Sequence, residues 1–135
     1  MSDAQPASGY ELIDDELCRG FQEHLEIVGR RWNSAILLAG MRGATRFSEY
    51  RAMIVGISDR LLTQRLKELE AEGFVVRSVV PTTPVTIRYE LTEPARELMR
   101  LLQPITLWSH ARALTRSKRL TPALHVVDGR RKLGA

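Results

Sequence analysis

The spacing of apolar residues changes at Gly73, and that change restricts the fold more than any other feature of the chain. Before it, apolar residues recur every three or four positions: Leu17, Phe21, Leu25 and Val28; Trp32, Ala35, Ile36 and Ala39; Phe47, Tyr50 and Ile54; Leu62, Leu66 and Leu69. Each set marks one face of a helix. After Gly73 the period is two. Phe74 to Val80 is rich in β-branched residues. Thr86 to Leu91 puts Ile87, Tyr89 and Leu91 on one face and Thr86, Arg88 and Glu90 on the other. Beyond Thr92 the helical period returns with Leu98, Leu101, Leu102, Ile105, Trp108 and Ala111. The pattern predicts several helices, one ribbon and a final helix.

The punctuation between these segments is specific. Gly29 ends the first helix, and Met41-Arg42-Gly43-Ala44 is a turn after the second, whose Leu37, Leu38 and Met41 make it apolar nearly all round and so central. Gly56 sits in a tight connection between the third and fourth helices. Ser58 is placed to cap the fourth, with Asp59 in its first turn, and Gly73 follows its end. Pro81-Thr82-Thr83-Pro84 joins the two strands into a hairpin. Thr92 caps a last helix that tolerates Pro94 in its first turn and runs to about Ala113. The third and fourth helices around Gly56 form a helix-turn-helix, and the hairpin behind them is a wing. The fold expected is mainly α with a small β-hairpin, a winged helix-turn-helix. Residues 1–16 read as a flexible acidic leader, 17–113 as the folded domain and 114–135 as a basic tail. Within the tail, Asp128-Gly129 flanked by strand formers is a hairpin signal, with a basic arm on DNA or disorder as the other readings.

The chain has 135 residues, enough for one domain. No apolar run approaches the ~20 residues of a membrane span, and the first residues carry no secretory pattern, so a cytoplasmic protein is expected. One cysteine excludes a disulfide scaffold, and His24, His110 and His125 are isolated, so no metal site is expected. No dinucleotide, P-loop or nucleophile-elbow motif is present; no enzyme and no cofactor are expected. The net charge is +4 and the pI about 9.7. It is uneven: −5 over residues 1–16, +4 over 17–113 and +5 over 114–135. This balance suits a polyanion partner.

The fourth helix sets the functional expectation. At about 100° per residue, Leu62, Leu66 and Leu69 fall on one side, while Arg60, Gln64 and Lys67 fall opposite with Thr63 at their edge. Arg reads a guanine edge, Gln an adenine edge, and Lys suits a phosphate. Candidate contacts to double-stranded DNA are therefore Ser58, Arg60, Thr63, Gln64 and Lys67, with Arg46, Arg77, Thr83 and Arg88 around them. Such a face is also what an ordinary solvated helix presents. A winged helix used only to bind a protein or a small molecule is the alternative; its DNA binding would be weak and insensitive to salt.

The run from Cys18 to about Ala113 resembles the HxlR-type family of bacterial winged-helix regulators. The matching pieces are Cys18, Gly29-Arg30-Arg31-Trp32, Gly43-Ala44-Thr45-Arg46-Phe47-Ser48-Glu49, Gly56-Ile57-Ser58-Asp59-Arg60-Leu61-Leu62-Thr63, Leu66 through Arg77, Pro84, Tyr89-Glu90-Leu91-Thr92-Glu93 and Trp108. The resemblance implies a dimeric DNA-binding transcription regulator whose first and last helices build the dimer. The chain departs from the family's habit at Arg31, usually Lys; at Ala95, usually Gly; and at Arg88, often an acid. Pro104 inside the last helix is expected to bend it.

The last helix points to a homodimer on physical grounds as well. Leu98, Leu101, Leu102, Ile105 and Trp108 form a broad apolar stripe, which a second subunit or the domain's own core would cover, and Phe21 on the first helix joins the expected interface. Two recognition helices one duplex turn apart would read a pseudo-palindrome. Cys18 borders the apolar face of the first helix, where a small buried hydrophobe is the plain reading. The resemblance adds another, since some members use a cysteine here to sense oxidants or electrophiles. A helix N-terminus favours the thiolate, and Glu16 and Glu23 oppose it. A small-molecule or electrophile effector is thus a candidate partner.

Overall fold

The computed structural model describes residues 10–134, with side chains described as far as Arg119. Asp3 and the rest of residues 1–9 lie outside the described part, as do the side chains of Arg130, Arg131 and Lys132. After a short 3₁₀ turn at Tyr10–Leu12 come α1 (Asp15–Gly29), α2 (Asn33–Met41), α3 (Phe47–Met53), α4 (Asp59–Ala71), β1 (Val75–Val80), β2 (Thr86–Leu91) and α5 (Glu93–Gly134). The architecture is a winged helix-turn-helix. Two compact units divide the chain, Met1–Arg96 and Glu97–Ala135.

Within the first unit α2 is central, touching α1, α3, α4 and β2. Its Ile36 and Leu37 are fully buried with Tyr50, Leu62, Leu66 and Leu69. Gly40 explains how close α2 comes to β2: a Cβ there would stand 2.7 Å from Leu91 Cγ. Helix propensity alone favours alanine at such a position, and the buried Leu91 refuses it. The strands pair antiparallel from Val75 opposite Leu91 at the root to Val80 opposite Thr86 near the tip. Burial fades along this ribbon: Val75 and Leu91 are buried, Tyr89 half-buried and Ile87 exposed. Thr92 closes the root, its N–H donating to Phe74 O at 3.0 Å and its hydroxyl to Gly73 O at 2.7 Å.

Two boundaries differ from the sequence reading. The first helix starts at Asp15, because the Asp14 carboxylate accepts from Leu17 N at 2.9 Å and caps it. The leader expected to be flexible through residue 16 therefore yields to structure earlier. The last helix does not end near Ala113, and no hairpin forms at Asp128-Gly129; the backbone is helical to Gly134, through Pro104 and Pro122. Residues 111–119 hold good helix formers and no breaker, and an isolated two-stranded ribbon is marginal on its own. Among the described residues no helix is long and apolar enough to cross a membrane.

Candidate nucleic-acid interface

The helix-turn-helix is held at both ends by side chains that the local sequence supplies. At the entry to α3, the Glu49 carboxylate accepts from Arg46 N at 2.9 Å, from Thr45 N at 3.3 Å and from Thr45 Oγ1 at 3.2 Å. Those donors, the Arg46 N–H foremost, hold the Glu49 carboxyl below its ordinary value. In the turn, Gly56 has φ +90°, and an added Cβ would stand 3.7 Å from the Trp32 ring. Ser58 caps α4, its Oγ accepting from Leu61 N at 3.1 Å, and Arg51 on α3 bridges to Asp59 on α4 at 3.0 Å.

Helix α4 is seated by Leu62, Leu66 and Leu69, none more than 1% exposed. Arg60, Thr63, Gln64 and Lys67 are exposed and line one shallow surface together with Asp59. Their donors differ in readiness. The Thr63 hydroxyl donates back to Asp59 O at 2.8 Å, and Gln64 Nε2 reaches Glu68 Oε1 only at 3.4 Å. Glu68 is further held by Arg65 at 2.9 Å and Arg30 at 3.3 Å. Asp59 on that surface and Glu68 beside it are thus both paired with arginines of the protein.

The wing separates two residues that the sequence grouped. Arg77 lies opposite Tyr89 and Ser78 opposite Arg88, so Arg77 and Arg88 project from opposite faces of the ribbon. Arg88 is instead joined to Arg46, across an isolated antiparallel bridge that the segment before α3 makes with β2. No period announces a strand one residue long, and this pairing is absent from the sequence reading. Thr83 is exposed at the wing tip; its neighbour Thr82 donates to Pro84 O at 2.7 Å and shares a hydrogen bond with Thr86 Oγ1 at 3.0 Å.

Tyr89 fastens the wing to the helix-turn-helix through its backbone. Its N–H donates to Thr45 O at 2.6 Å, and its carbonyl accepts from Tyr50 Oη at 2.8 Å. Burial pushes the Tyr50 phenol up to about 12, helped by Glu90 and Glu49 and opposed by Arg96. The folded state thus keeps the Tyr50 proton more tightly than the unfolded chain, whose phenol titrates near 10. The stability this contributes is complete below pH ~10 and is lost as pH rises toward ~12, about 2 kcal/mol after allowance for solvent screening. Urea unfolding followed from pH 9 to 12 is expected to show that loss in wild type and not in Tyr50→Phe.

Elsewhere, Cys18 is an exposed free thiol on α1. Phe21, Leu101, Ile105 and Trp108 are exposed, while Leu98 and Leu102 are half-buried. The Arg112 guanidinium lies 5.4 Å from the Trp108 ring centre, a cation–π contact.

The sequence profile of the HxlR-like helix-turn-helix family matches residues 27–117, from the end of α1 through the wing and well into α5. The chain belongs to this family. Among its relatives is YvaP of Bacillus subtilis, an HTH-type transcriptional regulator, 42% identical over 98 residues that cover 73% of this chain and 91% of YvaP. The HTH-type transcriptional regulator YodB of the same organism is 38% identical over 72% of this chain and 87% of its own. Reduced YodB superimposes with a TM-score of 0.60, covering 73% of this chain and 92% of that one, and YodB is also known diamide-treated and quinone-bound. The redox regulator HypR in its oxidized form gives a TM-score of 0.63 at 32% identity, covering 68% of this chain and 95% of HypR. This HxlR-type chain is a transcriptional regulator of the helix-turn-helix type.

Proposed function

We propose that this regulator binds duplex DNA sequence-specifically as a homodimer, with one α4 from each protomer in successive major grooves of a pseudo-palindromic operator. The observation that carries the reading is the two-sided character of α4. Its leucines are buried, and Arg60, Thr63, Gln64 and Lys67 stand exposed on the second helix of a helix-turn-helix. Ser58 sets the start of that helix, and Arg46, Arg77, Thr83 and Arg88 are the proposed DNA contacts outside it. The dimer is supported by uncovered apolar surface: α1 buries no residue although Leu17, Phe21 and Leu25 share a face, and Leu101, Ile105 and Trp108 are exposed on α5. The interface takes in Leu98 and Leu102 as well. Exposed Arg116, Lys118 and Arg119 on α5 add affinity that does not depend on sequence.

Competition between an operator recovered by selection and a scrambled duplex tests this directly. The operator is expected to win by roughly 10³-fold or more, with log K falling by ~0.9 per phosphate contacted as log salt rises. Equal affinity for both duplexes overturns the reading.

Cys18 is the proposed sensor of oxidants or electrophiles. Its exposed thiol and the likeness to YodB and HypR support this role. Diamide is expected to shift operator affinity by roughly 5- to 150-fold in wild type and to leave Cys18→Ser unchanged. An equal response in both proteins removes Cys18 from the mechanism.

A further inference from the structure

The wing and the entry to α3 together bring two arginines side by side. Arg46 and Arg88 are bridge partners, and the hydrogen bond beside them runs between the flanking residues, from Tyr89 N to Thr45 O at 2.6 Å. In an antiparallel ladder that pattern makes Arg46 and Arg88 a pair that exchanges no hydrogen bonds. Such partners have the closer spacing, with Cα atoms ~4.5 Å apart and side chains on the same face. Both residues are exposed, and among the described residues neither makes a salt bridge. Glu49 is turned to the backbone N–H groups of Thr45 and Arg46, and Glu90, on the same face as Arg88, forms no ion pair with either arginine. Like charges placed directly opposite destabilise a ladder. Glu49 attracts Arg46 by its charge but forms no ion pair with it, and the Arg46 backbone rather than its side chain serves the α3 cap.

We propose that Arg46 and Arg88 form one phosphodiester clamp, both guanidinium forks closing on the two free oxygens of a single DNA phosphate beside the groove that α4 enters. The proposal rests on the DNA-binding reading and adds its register: one backbone phosphate is held jointly by the start of the helix-turn-helix and the wing. Planar guanidinium donors suit that geometry, whereas an ammonium would act only as a point charge. Arg77, on the other face of the ribbon, has no part in it.

The test is a double-substitution cycle in the full chain, with Arg46→Gln, Arg88→Gln and the pair, each titrated with a 30-base-pair duplex across a salt series. Each single change is expected to weaken binding roughly tenfold, the pair little more than the worse single, and the salt slope to fall by about one. Thermal unfolding of the pair variant is expected at or above the wild-type temperature, since repulsion has been removed. Losses that multiply, with a slope lower by about two, overturn the clamp in favour of two separate phosphates. A lowered unfolding temperature overturns it in favour of a structural role. If the pair variant binds like wild type while Arg60→Ala still weakens operator binding, the clamp alone fails. If Arg60→Ala is also without effect, the DNA-binding reading fails with it.

Discussion

Replacing Arg60 by alanine is expected to cost about 1–3 kcal/mol of discrimination at one operator position, roughly 5- to 150-fold. Arg60 lies in the first turn of α4, the part of a recognition helix that meets base edges, and it is exposed with no salt bridge among the described residues. On the proposed reading its loss removes a base contact, and it breaks no salt bridge that holds the fold. The sign of the effect is in the sequence preference: substituted operators at that position become nearly as good as the original. Gln64→Ala is expected to relax a different position, since its amide has only the long 3.4 Å contact with Glu68 to give up. Lys67→Ala is expected to weaken all duplexes alike and to lower the salt slope by about one. Binding to a panel of single-base operator variants distinguishes these outcomes. A uniform loss from Arg60→Ala would make it a phosphate contact instead.

The second large effect concerns what holds that helix in place. Leu66→Ala is expected to destabilise the fold by about 2–5 kcal/mol, a large part of the stability of a domain this size. Leu66 is 1% exposed on the helix that packs against β1 and α2, and its truncation leaves a void that rigid neighbours cannot fill. In urea the midpoint is expected to fall with the slope unchanged. Below the transition the folded fraction is expected to retain wild-type sequence preference, because no base-reading group has been touched. A cost below about 1 kcal/mol would mean that α4 is not anchored by its leucines.

Several parts of the site could be read directly from the chain. Ser58, Asp59 and Gly56 announced the turn and the start of α4 because capping and left-handed backbone are settled within a few residues. The leucine spacing placed Arg60, Gln64 and Lys67 on the exposed side for the same local reason. The ends of the helical region were less legible. Asp14 stands in an acidic stretch that looked like a leader, and its role as a cap shows only in its bond to Leu17 N. Asp128-Gly129 carries a hairpin signal, but a turn signal needs strands with something to pack on, and the backbone there is helical.

What the sequence determined is the order of the helices and the wing up to the start of α5 and the outward face of α4: the helices rest on contacts between residues no more than four apart, and the hairpin on alternation either side of a short loop. The tertiary structure alone decided how the wing sits on the helix-turn-helix. The Tyr50 hydroxyl meets the Tyr89 carbonyl across 39 residues of chain, Leu91 fills the space over Gly40, and Arg88 joins Arg46 rather than Arg77. Such pairings are chosen by shape, by burial and by the register of one strand against a single residue, and no local period records them.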